Sequence, residues 1–306
     1  MSSQTCSSFR IRVLANEFVH SVSLPFKQDI PTLVTKLSPS AELIGASNTI
    51  LPIRKAEENQ EISDPRGKEH RHRVGPIEIL YADNTDWMGI CACVSRSISP
   101  ANSVNPETAG LVIGAGGMAP AAVYCLLYLG VRSICIYNRT PAHAQSLAKH
   151  FQKVFTDFVH SKVHNLPRLG EKIQSSGLRI RVLDSVDTPW PEDISRPSIV
   201  ICAIKAYDRQ KSVTPPFRMP QLWMGNPTGG IVVELAYHTA ETPLMRGLRE
   251  DNPPGWTVID PIEVLFEQAC AQFELFTGSR APRKVMWEAC LNDYADKMKN
   301  NAYSTR

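Results

Sequence analysis

An apolar run that ends in glycines constrains the fold of this chain more than any other feature. The run Leu111–Ile113 has the composition of a buried strand, and Gly114, Gly116 and Ala119 follow it in the spacing G-x-G-x-x-A. A strand that passes through such a turn into a helix is typical of the first unit of a Rossmann-like domain, which binds a dinucleotide. The first glycine permits the tight turn, the second lets a pyrophosphate approach the backbone, and Ala119 keeps the helix close to the sheet. The alternative is a glycine-rich turn that binds no ligand.

Strand-like and helix-like segments alternate after this turn. The further strand candidates are residues 131–138, 179–185, 198–204 and 229–237. Residues 142–151 have a helical pattern, and another helix is expected over 262–276. Strands that alternate with helices predict a parallel sheet with helices on both faces. The stretch 96–109, rich in Ser, Pro and Asn, marks a domain boundary before this region.

Length, charge and composition narrow the class of protein. A chain of 306 residues suggests two domains. The formal net charge of +3 is too small to argue for nucleic acid as a direct partner. No apolar run approaches the roughly 20 residues that a membrane-spanning helix needs. The eight cysteines are scattered, so we expect a reducing compartment and no metal site. A soluble protein of the cytoplasm is therefore expected.

The end of the second strand after the glycine turn predicts which dinucleotide would bind. NAD sites usually place Asp or Glu there, on the ribose 2′-hydroxyl. Here the strand Ile134–Tyr137 is followed by Asn138, Arg139 and Thr140, with no carboxylate. Arg139 can pair with a 2′-phosphate, and Asn138 and Thr140 can form hydrogen bonds to it. The sequence predicts NADP(H) over NAD(H); the alternative is that Arg139 is a solvated residue at a helix start.

Three polar strings lie before the domain boundary. The first, S-V-S-L-P-F-K, runs from Ser21 to Lys27 at the end of a strand expected over residues 19–24. The second is the pair Asn48-Thr49, and the third is D-N-T-D over residues 83–86. Each string alone could be a turn or a helix cap.

Taken together, these strings and the glycine turn resemble the shikimate/quinate dehydrogenase family. The family pattern runs from N/S-V-T/S-x-P-x-K through G-A-x-N-T, D-N-T-D, G-A-G-G and N-R-T to an E-x-L-x-x-Q-like helix. This chain has each part in order over residues 20–276. The resemblance implies an α/β fold with a Rossmann-like NADP-binding domain over 99–258. It also implies a smaller α/β substrate-binding domain over 1–98, truncated at its N-terminus, and C-terminal helices over 259–306 that pack back on that domain.

The resemblance also implies roles for individual residues. Lys27 and Asp86 match the catalytic pair of the family. The positions that match its substrate ligands are Ser21, Ser23, Asn48, Thr49, Tyr237 and Gln268. The positions that match its cofactor ligands are Gly114, Gly116, Gly117, Ala119, Asn138, Arg139 and Thr140. The implied reaction is the NADP(H)-dependent interconversion of 3-dehydroshikimate and shikimate, with quinate as an alternative substrate. A lysine near the ketone oxygen would stabilise developing negative charge and supply a proton.

Several positions depart from the family pattern. The family opens with a βαβα segment that carries an S-x-S-P motif for the substrate carboxylate, and no such motif precedes residue 20. Pro120 stands where the family usually has Arg, and Pro261 replaces a glycine near the nicotinamide. Residues 203–205 replace a small Thr/Ser-rich turn beside the cofactor. Each departure weighs against catalysis.

A second resemblance keeps a non-catalytic interpretation open. The strings D-N-T-D-W-M-G-I and E-Q-A-C-A-Q-F-E-L-F-T-G are similar to those of the dehydrogenase-like C-terminal module of fungal quinate-pathway repressors. That resemblance implies a module that senses shikimate, 3-dehydroshikimate or quinate. It would act through a protein partner, in the nucleus as well as the cytoplasm. A truncated product that folds poorly is a third interpretation.

Overall fold

The computed structural model of the protein describes residues 20–22, 26–54, 76–161, 177–204, 217–237 and 241–304. The strands in chain order are β1 (His20–Ser21), β2 (Lys36–Leu37), β3 (Thr49–Arg54), β4 (Ile77–Asp83), β5 (Ala109–Ile113), β6 (Ser133–Tyr137), β7 (Arg179–Leu183), β8 (Ile199–Cys202), β9 (Gly230–Glu234) and β10 (Trp256–Ile259). The α-helices are α1 (Pro39–Ile44), α2 (Asp86–Ser97), α3 (Ala119–Leu129), α4 (Pro141–Ser161), α5 (Pro243–Asp251), α6 (Pro261–Thr277) and α7 (Arg283–Ser304). Short 3₁₀ turns cover Phe26–Gln28, Ile30–Thr32, Pro100–Asn102 and Gln221–Trp223.

The larger sheet confirms the Rossmann-like prediction. Its six strands lie in the order β10-β9-β8-β5-β6-β7, and all of its neighbouring pairs are parallel. If β5 is counted as strand 1, the order is 6-5-4-1-2-3. Read from the other edge, this is the 3-2-1-4-5-6 order of the doubly wound dinucleotide-binding fold. The order reverses direction between β5 and β8, and ligands of such sheets bind at the carboxyl ends of the strands beside this point.

Apolar residues on both faces explain why these strands form the centre of the sheet. Every residue of β5, β8 and β9 is buried, as expected where helices cover both sides of a parallel sheet. Helix α3 is buried along most of its length, because it lies between the sheet and helices α1 and α2. It ends at Gly130, whose φ of 103° is readily accessible to glycine.

The smaller sheet has the order β1-β3-β4-β2 and mixes antiparallel with parallel pairs. The strand expected over residues 19–24 pairs as a regular strand only at His20–Ser21 within the described part of the chain. The backbone continues the contact one residue further, because the N–H of Val22 donates to the carbonyl of Asn48. This sheet therefore brings the start of the described chain beside the Asn48-Thr49 pair.

Helix α6 joins the two sheets. It follows β10 of the larger sheet, yet it packs along α2 and against β3 of the smaller one. Its start is well defined, since the Asp260 carboxylate accepts from the N–H of Ile262 and Pro261 occupies the first helical position. It ends at Gly278, with a φ of 70°. Among the helices of the described ranges, none is both long and apolar enough to cross a membrane.

Candidate functional site

A buried ion pair lies at the centre of the site. The Nζ atom of Lys27 lies 2.9 Å from Oδ1 and 2.7 Å from Oδ2 of Asp86. The side chains are only 9% and 3% exposed. Lys27 belongs to the 3₁₀ turn after β1, and Asp86 is the first residue of α2, where the helix dipole favours a negative charge. Burying either charge without a partner would cost much free energy. Each of the two residues therefore stays charged in the interior because the other neutralises it.

Asn48 is the hub that connects this pair to the rest of the site. Its Nδ2 atom lies 2.9 Å from Thr85 Oγ1, 3.0 Å from Asp86 Oδ1 and 2.9 Å from Gln268 Oε1. Its Oδ1 atom accepts from the backbone N–H of Thr85 and from the hydroxyl of Thr49. Because Asn48 is 1% exposed, these contacts fix the carboxylate of Asp86 in place from behind.

Gln272 is a site residue that the sequence interpretation missed. Its Nε2 atom donates to Ser21 Oγ at 3.1 Å, to Thr49 Oγ1 at 3.1 Å and to the carbonyl of Asn48 at 3.2 Å. It lies one helical turn after Gln268 on α6, so both amides project from neighbouring positions of one face. The i, i+4 spacing of two glutamines was the available signal.

These residues border a cavity of about 240 Å³ between the two sheets. Polar groups from Ser21, Lys27, Asp86, Tyr237 and Gln268 line it. Its apolar lining comes from Val22, Met118, Leu235, Pro261, Val264 and Leu265. The cavity therefore combines a charged, hydrogen-bonding wall with an apolar one, as is typical of sites for small organic ligands.

Those sequence-predicted catalytic and substrate residues that the structure describes either line this cavity or lie directly behind its lining. Five of the eight proposed catalytic and substrate residues line it: Ser21, Lys27, Asp86, Tyr237 and Gln268. Asn48 and Thr49 lie behind the lining, where Asn48 bonds to Asp86 and Gln268, and Thr49 to Gln272. Ser23 lies outside the described residues.

The glycine turn forms as the spacing predicts. Gly114 has a φ of 108°, and a Cβ atom there would come within 2.9 Å of the Ala203 backbone. A Cβ atom on Gly116 would meet nothing within 4 Å, so the turn is open on the side where a pyrophosphate would approach. Gly117 is half-buried, and Ala119 is fully buried against the sheet. The turn thus fits the phosphates of a dinucleotide.

The residues after β6 differ in their surroundings: Asn138 forms hydrogen bonds within the protein, whereas Arg139 and Thr140 are exposed. Asn138 accepts from the N–H of Ala115 through Oδ1 at 3.1 Å and donates to the carbonyl of Thr140 through Nδ2 at 2.8 Å. Its side chain therefore supports the glycine turn. Arg139 is exposed and forms no ion pair with any described residue, so its guanidinium is available to an anion. The exposed Thr140 lies beside it.

Glu234, at the end of β9, orders the loop that carries Tyr237. Its carboxylate accepts from the N–H groups of Leu235 and Ala236 and, at 2.7 Å, from the hydroxyl of Thr242. Burial raises the pKa of Glu234 above its ordinary value, although these hydrogen bonds oppose the rise. A buried acid at this strand end could have been noted in the sequence, but its partners could not.

An ion network holds α6 against α2. Arg96 on α2 contacts Glu263 at 2.7 Å and Glu267 at 2.6 Å. Arg283 on α7 forms a two-point contact with the same Glu267 carboxylate. Burial acts to raise the pKa of Glu267, but the hydrogen bonds from Arg283 and Arg96 outweigh it and lower the pKa. Because Glu267 precedes Gln268, the network helps to hold that amide at the cavity.

Family comparisons agree with this architecture. Residues 101–178 match the family model described as shikimate / quinate 5-dehydrogenase. Residues 262–291 match the model of the shikimate 5′-dehydrogenase C-terminal domain. The first segment contains the glycine turn and the strand end with Arg139, and the second contains both glutamines of α6.

Curated and solved proteins extend the similarity over most of the chain. This chain is 43% identical over 283 residues to the quinate repressor protein of Emericella nidulans, and the match covers 92% of this chain and 30% of that protein. The dehydroquinate dehydratase and shikimate dehydrogenase from S. pombe AroM is 27% identical, with a TM-score of 0.60, over 89% of this chain and 43% of that one. Shikimate 5-dehydrogenase from Thermus thermophilus, solved with NADP(H) and shikimate, has a TM-score of 0.57 at 22% identity, over 90% of this chain and 78% of that one.

Proposed function

Because this chain is shikimate dehydrogenase-like in sequence and in fold, we propose that it binds a cyclic polyhydroxylated carboxylic acid of the shikimate or quinate type. The observation that carries the proposal is the buried Lys27–Asp86 pair on the wall of a cavity that Ser21, Tyr237 and Gln268 also line. Hydroxyl, amide and ammonium groups recognise ring hydroxyls by hydrogen bonding. The apolar side of the cavity would cover the ring carbons.

In the enzymatic form of the proposal, the protein interconverts a ring ketone and the corresponding alcohol. The Lys27 ammonium supplies a proton to the ketone oxygen during reduction and stabilises the charge that develops there. Asp86 holds Nζ through both carboxylate oxygens, which orients the amine toward the cavity. Asn48 orients Asp86 in turn. A bound NADPH would supply the hydride, and the protein would mainly position it.

NADP(H) is the dinucleotide that the residues favour. The open face at Gly116 would admit the pyrophosphate, and the exposed Arg139 would pair with the 2′-phosphate. Thr140 would add a hydrogen bond, whereas Asn138 would act through the turn that it supports. Shikimate 5-dehydrogenase structures of the same fold hold NADP(H), which supports the cofactor type.

A metabolite-sensing module is the second candidate function. The 43% identity to a quinate repressor protein over 92% of this chain favours it. Pro261 lines the cavity and Pro120 lies in the first turn of α3, so two positions near the proposed cofactor lack a backbone donor. In this function the same acids bind without turnover, and the signal passes to a protein partner without direct contact to nucleic acid. The protein would then work in the nucleus as well as in the cytoplasm.

Turnover and binding measurements separate the two functions. Purified protein is incubated with shikimate or quinate and NADP⁺ or NAD⁺, while reduced cofactor is followed by absorbance. Turnover in the wild type and in Lys36→Ala, an exposed lysine of β2, together with its loss in Lys27→Ala, would support the enzyme. Binding of the acids by calorimetry without turnover would support the sensor. If folded protein neither bound nor converted either acid, both functions would be rejected.

A further inference from the structure

Met118 links the glycine turn directly to the Lys27–Asp86 pair. It follows Gly117 and occupies the N-cap position of α3, where its side chain caps no backbone group of the helix. Its Sδ atom lies 3.4 Å from Lys27 Nζ, and the side chain lines the cavity. The contact therefore crosses from the larger sheet's nucleotide-binding turn to the smaller sheet's charged pair.

The cavity that Met118 lines is small. At about 240 Å³, the cavity lies below the roughly 300–1,000 Å³ that ligand sites usually offer. It can accept one small ring. A dinucleotide seated on the glycine turn would have to place its nicotinamide in the same space, next to Lys27. The side chain of Met118, two residues after Gly116, already lies 3.4 Å from Lys27 Nζ, so a nicotinamide beside Lys27 would compete with it for space.

Three other apolar residues line the cavity together with Met118. Leu235 follows β9, Pro261 begins α6, and Val264 is one helical turn further on. All three line the cavity and supply no side-chain hydrogen-bond donor or acceptor to an amide-bearing ring. In contrast, the glycine turn itself is open at Gly116. Phosphates therefore have room at the turn, whereas the space beside Lys27 is partly taken by the apolar side chain of Met118.

We propose that Met118 is a specificity-determining residue that separates the ring-binding cavity from the nucleotide-binding turn. The ring acid binds beside Lys27 without needing a dinucleotide, and a nicotinamide enters the cavity only after the Met118 side chain has moved. Methionine has several rotatable bonds and its sulfur is a weak acceptor, so the side chain acts as a displaceable barrier. This inference rests on the proposed function, since it assumes that the cavity takes a ring acid.

Isothermal titration calorimetry with three variants tests the role of Met118. The titrants are shikimate, quinate and NADPH, and each acid is titrated with and without saturating NADP⁺. Met118→Ala opens the cavity, Met118→Leu keeps the volume without the sulfur, and Met224→Ala is a matched truncation at a half-buried methionine that does not line the cavity. Thermal melts establish that each variant is folded.

The expected result is that NADP⁺ leaves the affinity of the wild type for the acid unchanged. Met118→Ala should bind NADPH about tenfold more tightly, the equivalent of roughly 1.4 kcal/mol. Met118→Leu and Met224→Ala should match the wild type. Unchanged NADPH affinity in Met118→Ala, an equal gain in Met118→Leu, or acid binding that requires NADP⁺ would each overturn the role of Met118. Absence of acid binding in every folded variant would instead reject the proposed function itself.

Discussion

Asn48 and Gln268, 220 residues apart in the chain, are joined by a hydrogen bond of 2.9 Å from Nδ2 to Oε1. The same nitrogen lies 3.0 Å from Asp86 Oδ1. One amide group therefore connects the smaller sheet, the start of α2 and the C-terminal helix α6. The geometry of the cavity depends on this connection, because Asp86 and Gln268 both line it.

Replacing Asn48 should destabilise the whole protein. Asn48→Ala removes the acceptor of the backbone N–H of Thr85 and of the hydroxyl hydrogen of Thr49, and each unsatisfied buried group costs about 1–3 kcal/mol. We expect the free energy of unfolding, measured in urea, to fall by at least that amount. Gln152→Ala, at an exposed position of α4, serves as the control and should change little. Equal stability of the two variants would show that the hydrogen bonds of the Asn48 side chain contribute nothing to the free energy of unfolding.

Breaking the buried ion pair should cost more than removing it entirely. Lys27→Met leaves the Asp86 carboxylate buried without its cation, and loss of one partner of a buried pair typically costs about 3–5 kcal/mol. The double variant Lys27→Met/Asp86→Leu should recover part of this loss, because no uncompensated charge remains. Unfolding curves of both variants and the wild type give the comparison. A double variant less stable than Lys27→Met would contradict the argument.

If the protein turns over, Asp86→Asn should slow the reaction strongly while the cavity keeps its shape. Asparagine retains the volume of the side chain but cannot hold the Lys27 ammonium with two charged oxygens. Loss of a positioned acid–base group typically reduces the rate by about 10²–10⁴-fold. The quantity to measure is kcat with saturating acid and NADP⁺. An unchanged kcat would remove this pair from the mechanism.

Arg139 should determine the preference for a phosphorylated dinucleotide. A hydrogen bond to a charged group contributes about 1.5–3 kcal/mol, so Arg139→Ala should weaken NADPH binding by roughly tenfold or more. NADH binding should change little, because NADH lacks the 2′-phosphate. Lys149→Ala, an exposed cation on α4, is the control for general charge effects. Equal weakening of both dinucleotides would refute the phosphate contact.

The contribution of Glu234 to stability should depend on pH. Burial raises its folded pKa above the ordinary value of 4.5, so the folded state retains the proton more strongly than the unfolded state. Its contribution to stability is therefore greatest below the unfolded pKa and declines as the pH rises through the folded pKa. Glu234→Gln carries no such titration, so the wild type should lose stability relative to this variant as the pH rises.

Urea unfolding of wild type and Glu234→Gln at a series of pH values above 4 checks this expectation. The difference between the two free energies of unfolding isolates the titration of Glu234 from that of other groups. A difference that stayed constant across the series would mean that the folded and unfolded states hold the proton equally.

Local pattern was enough to predict most of the larger sheet. The apolar runs of β5, β6, β8 and β9, the glycine turn and the alternation with helices are properties of neighbouring residues, and they predicted a parallel sheet with five of its six strands. The edge strand β10 was missed, because its four residues form only a short and partly exposed run. The polar strings around Lys27, Asn48 and Asp86 likewise identified residues that the fold gathers around one cavity. Each string lies next to a strand of the smaller sheet: Lys27 follows β1, Asn48 directly precedes β3, and Asp86 follows β4.

Only the tertiary structure decided which of these side chains line the cavity and which support it. Asn48 and Thr49 proved to be buried behind the lining, and Gln272 emerged as the partner of Ser21. The thioether of Met118 likewise reaches Lys27 across the two sheets. Each of these contacts joins segments far apart in sequence, so it depends on how α6 and the glycine turn pack against the smaller sheet. No periodicity or motif spacing encodes such a distance, because it is set by the packing of whole helices.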